Sequence, residues 1–155
     1  MNNTNDIKEA DTLTGANHPQ LTQELIGHEF ALDTFNNSYK EGKLHHAWLI
    51  TGPRGVGKAT LAWKLAIKLI TGEKTLRFGM EKSHELKKQS EALSLQNVFV
   101  CRRPYDEKTK RFKKFITVDE IRKLKMFFGL SATDKEWRIS LIDSADEFNK
   151  SAANA

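Results

Sequence analysis

Cysteine and long apolar runs are both scarce in this 155-residue sequence. Its single cysteine, Cys101, excludes an internal disulfide and any zinc site built from several thiolates. We therefore expect Cys101 to be a small buried apolar residue at the end of a strand. No apolar run approaches the roughly 20 residues that a helix needs to cross a bilayer, so the sequence predicts no membrane association.

The first twenty residues contain no Phe, Trp or Tyr and show no apolar periodicity. They also lack the apolar core of a secretion signal and the arginine-rich pattern of a transit peptide. These absences predict a disordered polar tail over residues 1–22 and a cytoplasmic location. With 39% hydrophobic and 29% charged residues, the chain is expected to hold one globular domain, over residues 23–155.

Three segments predict helices from the spacing of their apolar residues. The first covers His28–Glu41 and is closed by Gly42. The second covers Lys58–Thr71, with Gly72 directly after it, and the third covers Val118–Gly129.

Short apolar runs predict strands at His46–Thr51, Asn97–Cys101 and Trp137–Asp143. Residues 105–115 are rich in basic side chains and predict a loop or a hairpin. Strands that alternate with helices indicate an α/β domain with a largely parallel sheet. A further helix is expected to begin near Asp146, where Asp146 and Glu147 would favour the helix dipole. Because the sequence ends soon after this point, we expect a domain truncated at its C-terminus.

The segment between the first predicted strand and the second helix matches the phosphate-binding pattern GxxxxGK. Its glycines allow a tight turn that points backbone N–H groups inward, and the helix N-terminus adds a positive dipole end. The ammonium group of Lys58 would reach the phosphates of ATP or ADP. A glycine-rich turn that binds no ligand would share the pattern. The predicted nucleotide-binding residues are Gly52, Pro53, Arg54, Gly55, Val56, Gly57, Lys58, Ala59, Thr60 and Asp143.

The magnesium part of the predicted site is incomplete. A Ser or Thr normally follows the lysine and gives its hydroxyl to Mg²⁺, but here the residue is Ala59. Thr60 lies one position later, about 100° around the helix, and should not simply substitute. Asp143 ends a predicted buried strand, where an acid can hold Mg²⁺ directly or through water.

Four segments together resemble the delta-prime subunits of bacterial DNA polymerase III, which are clamp-loader subunits of the AAA+ class. The resemblance covers about residues 24–155, and its second and fourth segments are specific to clamp-loader proteins. These segments are Ile26-Gly27-His28, GKLHHAWLITGPRGVGKATLA (42–62), ITVDEIRKL (116–124) and WRISLIDSADEFNKSAANA (137–155).

The resemblance implies a three-layer, RecA-like P-loop NTPase domain, with residues 23–155 as its N-terminal portion. It implies a subunit of the DNA polymerase III holoenzyme that helps load the sliding clamp onto primed DNA, with other clamp-loader subunits as partners. Family members of this kind are often scaffolds with degenerate nucleotide sites. Ser144 stands where AAA+ ATPases place a catalytic glutamate, so we expect a weak or inactive ATPase that binds ATP or ADP, with or without Mg²⁺.

Zinc is not carried over from the family, because its zinc sites use four cysteines and only Cys101 lies in the matching interval. The resemblance also places residues 26–28 beside the adenine of AAA+ proteins, although a helix-entry turn at Gly27 explains them equally well.

Basic residues cluster at positions 102–125, where ten Lys and Arg face four acids. Such a cluster attracts phosphate backbones, but a solvated loop and helix face would have the same composition. DNA, a neighbouring subunit and solvent therefore all remain candidates for this surface.

Two other functions share the phosphate-loop pattern. A self-sufficient P-loop ATPase motor would need metal and water activation, which Ala59 and Ser144 do not supply. A P-loop kinase of small molecules would keep the hydroxyl after the lysine, and it would leave the resemblance at residues 137–155 unexplained.

Overall fold

The computed structural model describes residues 10, 15, 17–22, 24–72, 96–129 and 137–155. The chain divides into two compact units, one of residues Asn17–Ser90 and one of Met1–Ala16 with Glu91–Ala155. We call them the helical unit and the sheet unit. Most of the predicted tail and the polar segment 73–95 lie outside the described residues, and the tail stays a prediction. Within the described ranges, every helix is too short or too polar to span a bilayer.

The described residues of the helical unit include two helices, α1 (Glu29–Lys40) and α2 (Lys58–Thr71). Both agree with the predicted bounds to within one residue. The two helices meet through four buried apolar side chains, and their partly buried neighbours complete the core. The buried Lys68 of α2 donates a hydrogen bond to Asn36 Oδ1 of α1 at 2.6 Å, which satisfies an ammonium group inside this interface. The four core residues are Leu32, Phe35, Leu61 and Leu65.

The prediction of a strand at residues 46–51 is wrong for the structure as described, since no strand is assigned there. The segment still alternates its side chains. Trp48 contacts the Phe35 ring at 5.2 Å between centroids and Ile50 packs on the core, whereas Leu49 between them is 79% exposed. Alternation is a property of the segment itself, but a strand also needs backbone partners beside it. The described residues supply none.

The sheet unit contains two parallel strands, β1 (Val98–Arg102) and β4 (Ile139–Asp143), paired in register from Val98 with Ile139 to Arg102 with Asp143. Both lie within about two residues of the predicted strands, and their parallel pairing agrees with the predicted sheet. Cys101 is fully buried in β1, as expected.

Between these strands the chain forms a hairpin and a helix. The hairpin has two short antiparallel strands, β2 (Tyr105–Asp106) and β3 (Arg111–Phe112), which confirms a hairpin in the basic segment. Helix α3 (Val118–Gly129) has the predicted bounds. Its inward residue Ile121 joins a buried cluster that also contains Cys101, Ile116 and Ala152.

The predicted helix near Asp146 begins later than expected. Residues Ala145–Glu147 form a single 3-10 turn, and helix α4 covers only Lys150–Ala153. Asn149 caps α4, because its Oδ1 accepts a hydrogen bond from the Ala152 N–H at 2.7 Å. Glu147 therefore does not serve the helix dipole: its carboxylate lies 2.9 Å from Arg103 Nε in a largely buried ion pair.

Candidate phosphate-binding loop

The loop at residues 52–57 has the backbone conformation that its glycines predict. Gly55 and Gly57 have φ values of 85° and 90°, in the left-handed region that side chains with a Cβ rarely adopt. An ideal Cβ on Gly57 would lie 3.3 Å from His28 Nε2. Glycine is thus favoured at position 57 by its backbone conformation, and a Cβ there would also require the His28 side chain to shift by a few tenths of an ångström.

Helix α2 begins directly after this loop, with Gly57 at its N-cap. No side chain caps the helix start and no acid lies in its first turn. The first N–H groups of a helix have no partner within the helix, and the dipole makes this end favourable for anions. The predicted strand-to-helix junction is therefore confirmed only on its helix side, because residues 46–51 do not form a strand.

The side chain of Lys58 folds back over the loop. Its Nζ donates hydrogen bonds to the carbonyl oxygens of Gly52 at 2.9 Å and Pro53 at 2.7 Å. The positive charge is thus held within the loop by neutral carbonyls. A phosphate group offers stronger, charge-assisted hydrogen bonds and would compete well against these two acceptors.

A contact that the sequence did not predict joins the loop to α1. His28, the N-cap residue of α1, has its Nε2 2.7 Å from the carbonyl oxygen of Val56. Since a carbonyl only accepts, Nε2 must carry the proton. The peptide between Val56 and Gly57 is planar, so fixing its oxygen toward His28 turns the Gly57 N–H to the opposite side. Nothing in the sequence singles out this pair, because the two residues are 28 positions apart.

The residues present fit the phosphates of a nucleotide better than they fit its magnesium ion. Ala59 and Thr60 are the second and third residues of α2, and Ala59 has no oxygen to offer a metal. Asp143 ends β4 in the sheet unit and is exposed, with Ser144 directly after it. Its role as a metal-holding acid stays a prediction. No group of three or more His, Cys, Asp or Glu side chains in the described ranges could hold a metal ion.

Curated relatives match only part of this chain. The DNA polymerase III subunit gamma of Buchnera aphidicola subsp. Schizaphis graminum is 43% identical over 51 residues, which are 33% of this chain and 14% of that protein. The subunit tau of Escherichia coli is 42% identical over 48 residues, 31% of this chain and 8% of that protein. The subunit tau of Bacillus subtilis is 36% identical over 55 residues, 36% of this chain and 10% of that protein.

The matched segments thus span a seventh or less of these relatives. No solved structure gives a significant match. A family model covers far more of the chain: the family described as DNA polymerase III, delta subunit, matches residues 27–155. Its range includes the phosphate loop, both strands of the parallel sheet and the basic segment. The chain therefore belongs to the DNA polymerase III, delta subunit family, a family of clamp-loader-type subunits.

Proposed function

We propose that this protein is a delta-prime-like subunit of a clamp loader, which helps place the sliding clamp onto primed DNA during replication. Its partners in this role are the other clamp-loader subunits, with the clamp and the primed DNA engaged through the complex. The family match over residues 27–155 is the observation that carries the proposal. The resemblance of residues 137–155 to clamp-loader proteins supports it at the sequence level.

Within the complex, we propose that the subunit acts as a scaffold with a degenerate nucleotide site. Support comes from two substitutions at separate places, Ala59 for the metal-binding hydroxyl and Ser144 for the catalytic glutamate. The loop keeps its left-handed glycines and Lys58, which favour ATP or ADP binding through the phosphates. Binding that does not depend on Mg²⁺ is the property that this combination favours.

The test is calorimetric titration of the full chain with ADP and ATP, with Mg²⁺ and with EDTA. The proposal expects similar affinities in both buffers and loss of binding in Lys58→Ala, because that variant loses the charge that faces the phosphates. A strong dependence on Mg²⁺ would contradict the degenerate site. Assembly is tested separately, by gel filtration with the other clamp-loader subunits, and failure to join them would contradict the subunit role.

A self-sufficient ATPase is the second candidate, favoured by the preserved loop and Lys58. Steady-state turnover of the isolated protein separates the two functions. Turnover that disappears in Lys58→Ala would establish the motor and reject the scaffold. If the protein is a scaffold, we expect it to bind nucleotide and to assemble with its partners but to show no turnover.

A further inference from the structure

We propose that the hairpin at residues 105–114, here named the basic hairpin, binds the phosphate backbone of DNA, whereas the neighbouring basic helix α3 does not. This inference rests on the proposed function, because it assigns the DNA contact of that subunit to one element. The sequence did not separate the two, since its cluster of ten basic residues at positions 102–125 covers both the hairpin segment and the helix. The structure separates them by their ion pairs.

The basic residues at the start of α3 are paired with acids. Arg122 lies 2.7 Å from Asp119, and Lys123 lies 2.6 Å from Glu120, each pair three residues apart on the helix. Exposed pairs of this kind contribute little to stability, but they place a negative charge beside each positive one. A phosphate that approached these cations would also meet the carboxylates.

The basic hairpin has a different balance. Lys110 is paired with Glu107 at 2.9 Å, and the hydrogen bond that Lys110 Nζ donates to the Glu107 carboxylate raises the pKa of Lys110. The other four cations are exposed and, within the described part of the chain, have no acidic side chain within ion-pair distance. Between residues 105 and 114, five basic residues face two acids, which leaves a net charge of +3. The four cations are Lys108, Arg111, Lys113 and Lys114.

The second acid of the hairpin is used in the turn. Asp106 Oδ1 accepts hydrogen bonds from the backbone N–H groups of Lys108 at 2.9 Å and Thr109 at 3.3 Å. These two bonds, the one from Lys108 foremost, hold the pKa of Asp106 below its ordinary value. The carboxylate is therefore charged at neutral pH and engaged with the turn backbone rather than with Arg111, its partner in the strand register.

Contacts between its two strands hold the backbone of the hairpin. The rings of Tyr105 and Phe112 meet edge to face at 5.1 Å across the two strands, and the Lys113 N–H extends the pairing with a 2.9 Å bond to the Pro104 carbonyl. Because side chains alternate along a strand, Arg111 and Lys113 leave the side opposite Phe112, about 7 Å apart. Duplex DNA carries one charge per about 1.7 Å of its axis, so both cations can each meet a phosphate.

The test compares two pairs of substitutions that remove the same charge. Arg111→Gln with Lys113→Gln changes the hairpin, and Arg122→Gln with Lys123→Gln changes the helix. Binding of a fluorescein-labelled primed duplex to the full chain is measured by anisotropy across a series of salt concentrations. The hairpin pair is expected to lower the slope of log affinity against log salt by about 1.8, or about 0.9 for each lost phosphate contact. The helix pair should leave the slope close to that of the unchanged protein.

Equal effects of the two pairs, no effect of the hairpin pair, or no DNA binding by the unchanged chain would each overturn the assignment. The charge-conserving exchange Arg111→Lys with Lys113→Arg should retain binding, and its loss would show that the hairpin acts through its fold instead. If the hairpin pair loses assembly with partner subunits but keeps DNA binding, the surface contacts protein and the proposal is wrong. If the hairpin pair assembles normally and binds DNA as the unchanged protein does, the DNA contact of the hairpin is rejected and the proposed subunit role is not affected.

Discussion

His28 Nε2 lies 2.7 Å from the carbonyl oxygen of Val56, so the N-cap residue of α1 fixes the orientation of the Val56–Gly57 peptide just before α2. The bond orients the Gly57 N–H away from His28, and this N–H belongs to the group that a phosphate would meet. In the proposed nucleotide site, His28 would therefore be a positioning residue, because it contacts the loop backbone and would act on a ligand only through that backbone.

Replacing His28 with alanine should weaken ADP binding by about 2- to 10-fold, because one hydrogen bond contributes about 0.5–1.5 kcal/mol. Calorimetry on the full chain measures this change. His28→Gln keeps an N–H donor and should recover part of the affinity. His46→Ala is the matched control, since His46 is an exposed histidine of the same unit. Equal affinity of His28→Ala and the unchanged protein would show that the loop holds its conformation without this bond.

Gly57→Ala should destabilise the helical unit and abolish ADP binding. A left-handed conformation costs a residue with a Cβ about 1–2 kcal/mol, and the new methyl would press on His28. Gly42→Ala is a close control, because Gly42 has φ 68° but nothing within 4 Å of its ideal Cβ. Urea unfolding should show a cost in both variants and a larger one in Gly57→Ala. Adding His28→Ala to Gly57→Ala should recover the extra stability that Gly57→Ala loses relative to Gly42→Ala. If the losses of the two single variants, His28→Ala and Gly57→Ala, simply add, the steric contact is refuted.

Cys101 should make the stability of the sheet unit fall at high pH. Burial raises the pKa of its thiol from 9.0 to about 11. Below pH 9 the thiol is neutral in both states and contributes no pH dependence. Between pH 9 and about 11 the unfolded chain loses the proton and the folded chain keeps it, so unfolding becomes easier by up to about 2–3 kcal/mol.

Cys101→Ala removes this titration and leaves the other groups unchanged. Urea unfolding of both proteins from pH 7 to pH 11 is the measurement. The free energy of unfolding of the unchanged protein, minus that of the variant, should stay constant to pH 9 and then fall. A difference that stays constant across the whole range would contradict a buried, neutral thiol.

Local sequence signals predicted the elements that depend on local chemistry. The bounds of α2 and α3 follow from apolar spacing, and Gly72 ends α2 with φ 65°, where glycine is favoured. Apolar runs located β1 and β4 to within about two residues. The prediction of a helix that begins near Asp146 was wrong, because acidic residues favour a helix N-terminus but do not determine where the helix begins. Asn149, three residues later, supplies the cap that does.

The sequence signals did not predict contacts between residues that are far apart in the chain. The apolar run at residues 46–51 predicted a strand, but strand pairing depends on neighbouring backbone that the segment does not contain. The bond from His28 to Val56 and the ion pair from Arg103 to Glu147 each join residues far apart in the chain. Composition alone also could not divide the basic cluster, because it counts charges without showing which of them are paired.

Position 59 offers a gain-of-function test of the proposed degenerate site. Ala59→Thr places a hydroxyl where the phosphate-loop pattern normally supplies a magnesium ligand, directly after Lys58 on the first turn of α2. We expect ATP to bind this variant more tightly with Mg²⁺ than with EDTA, by about fivefold or more, whereas the unchanged protein should bind equally in both buffers. Thr60→Val removes the neighbouring hydroxyl with little change in size. This variant should bind ATP equally in both buffers, as the unchanged protein does. If Ala59→Thr binds ATP without regard to Mg²⁺, the missing hydroxyl is not what limits the metal. Asp143, the predicted metal-holding acid, and Ser144 would then be the residues to change next.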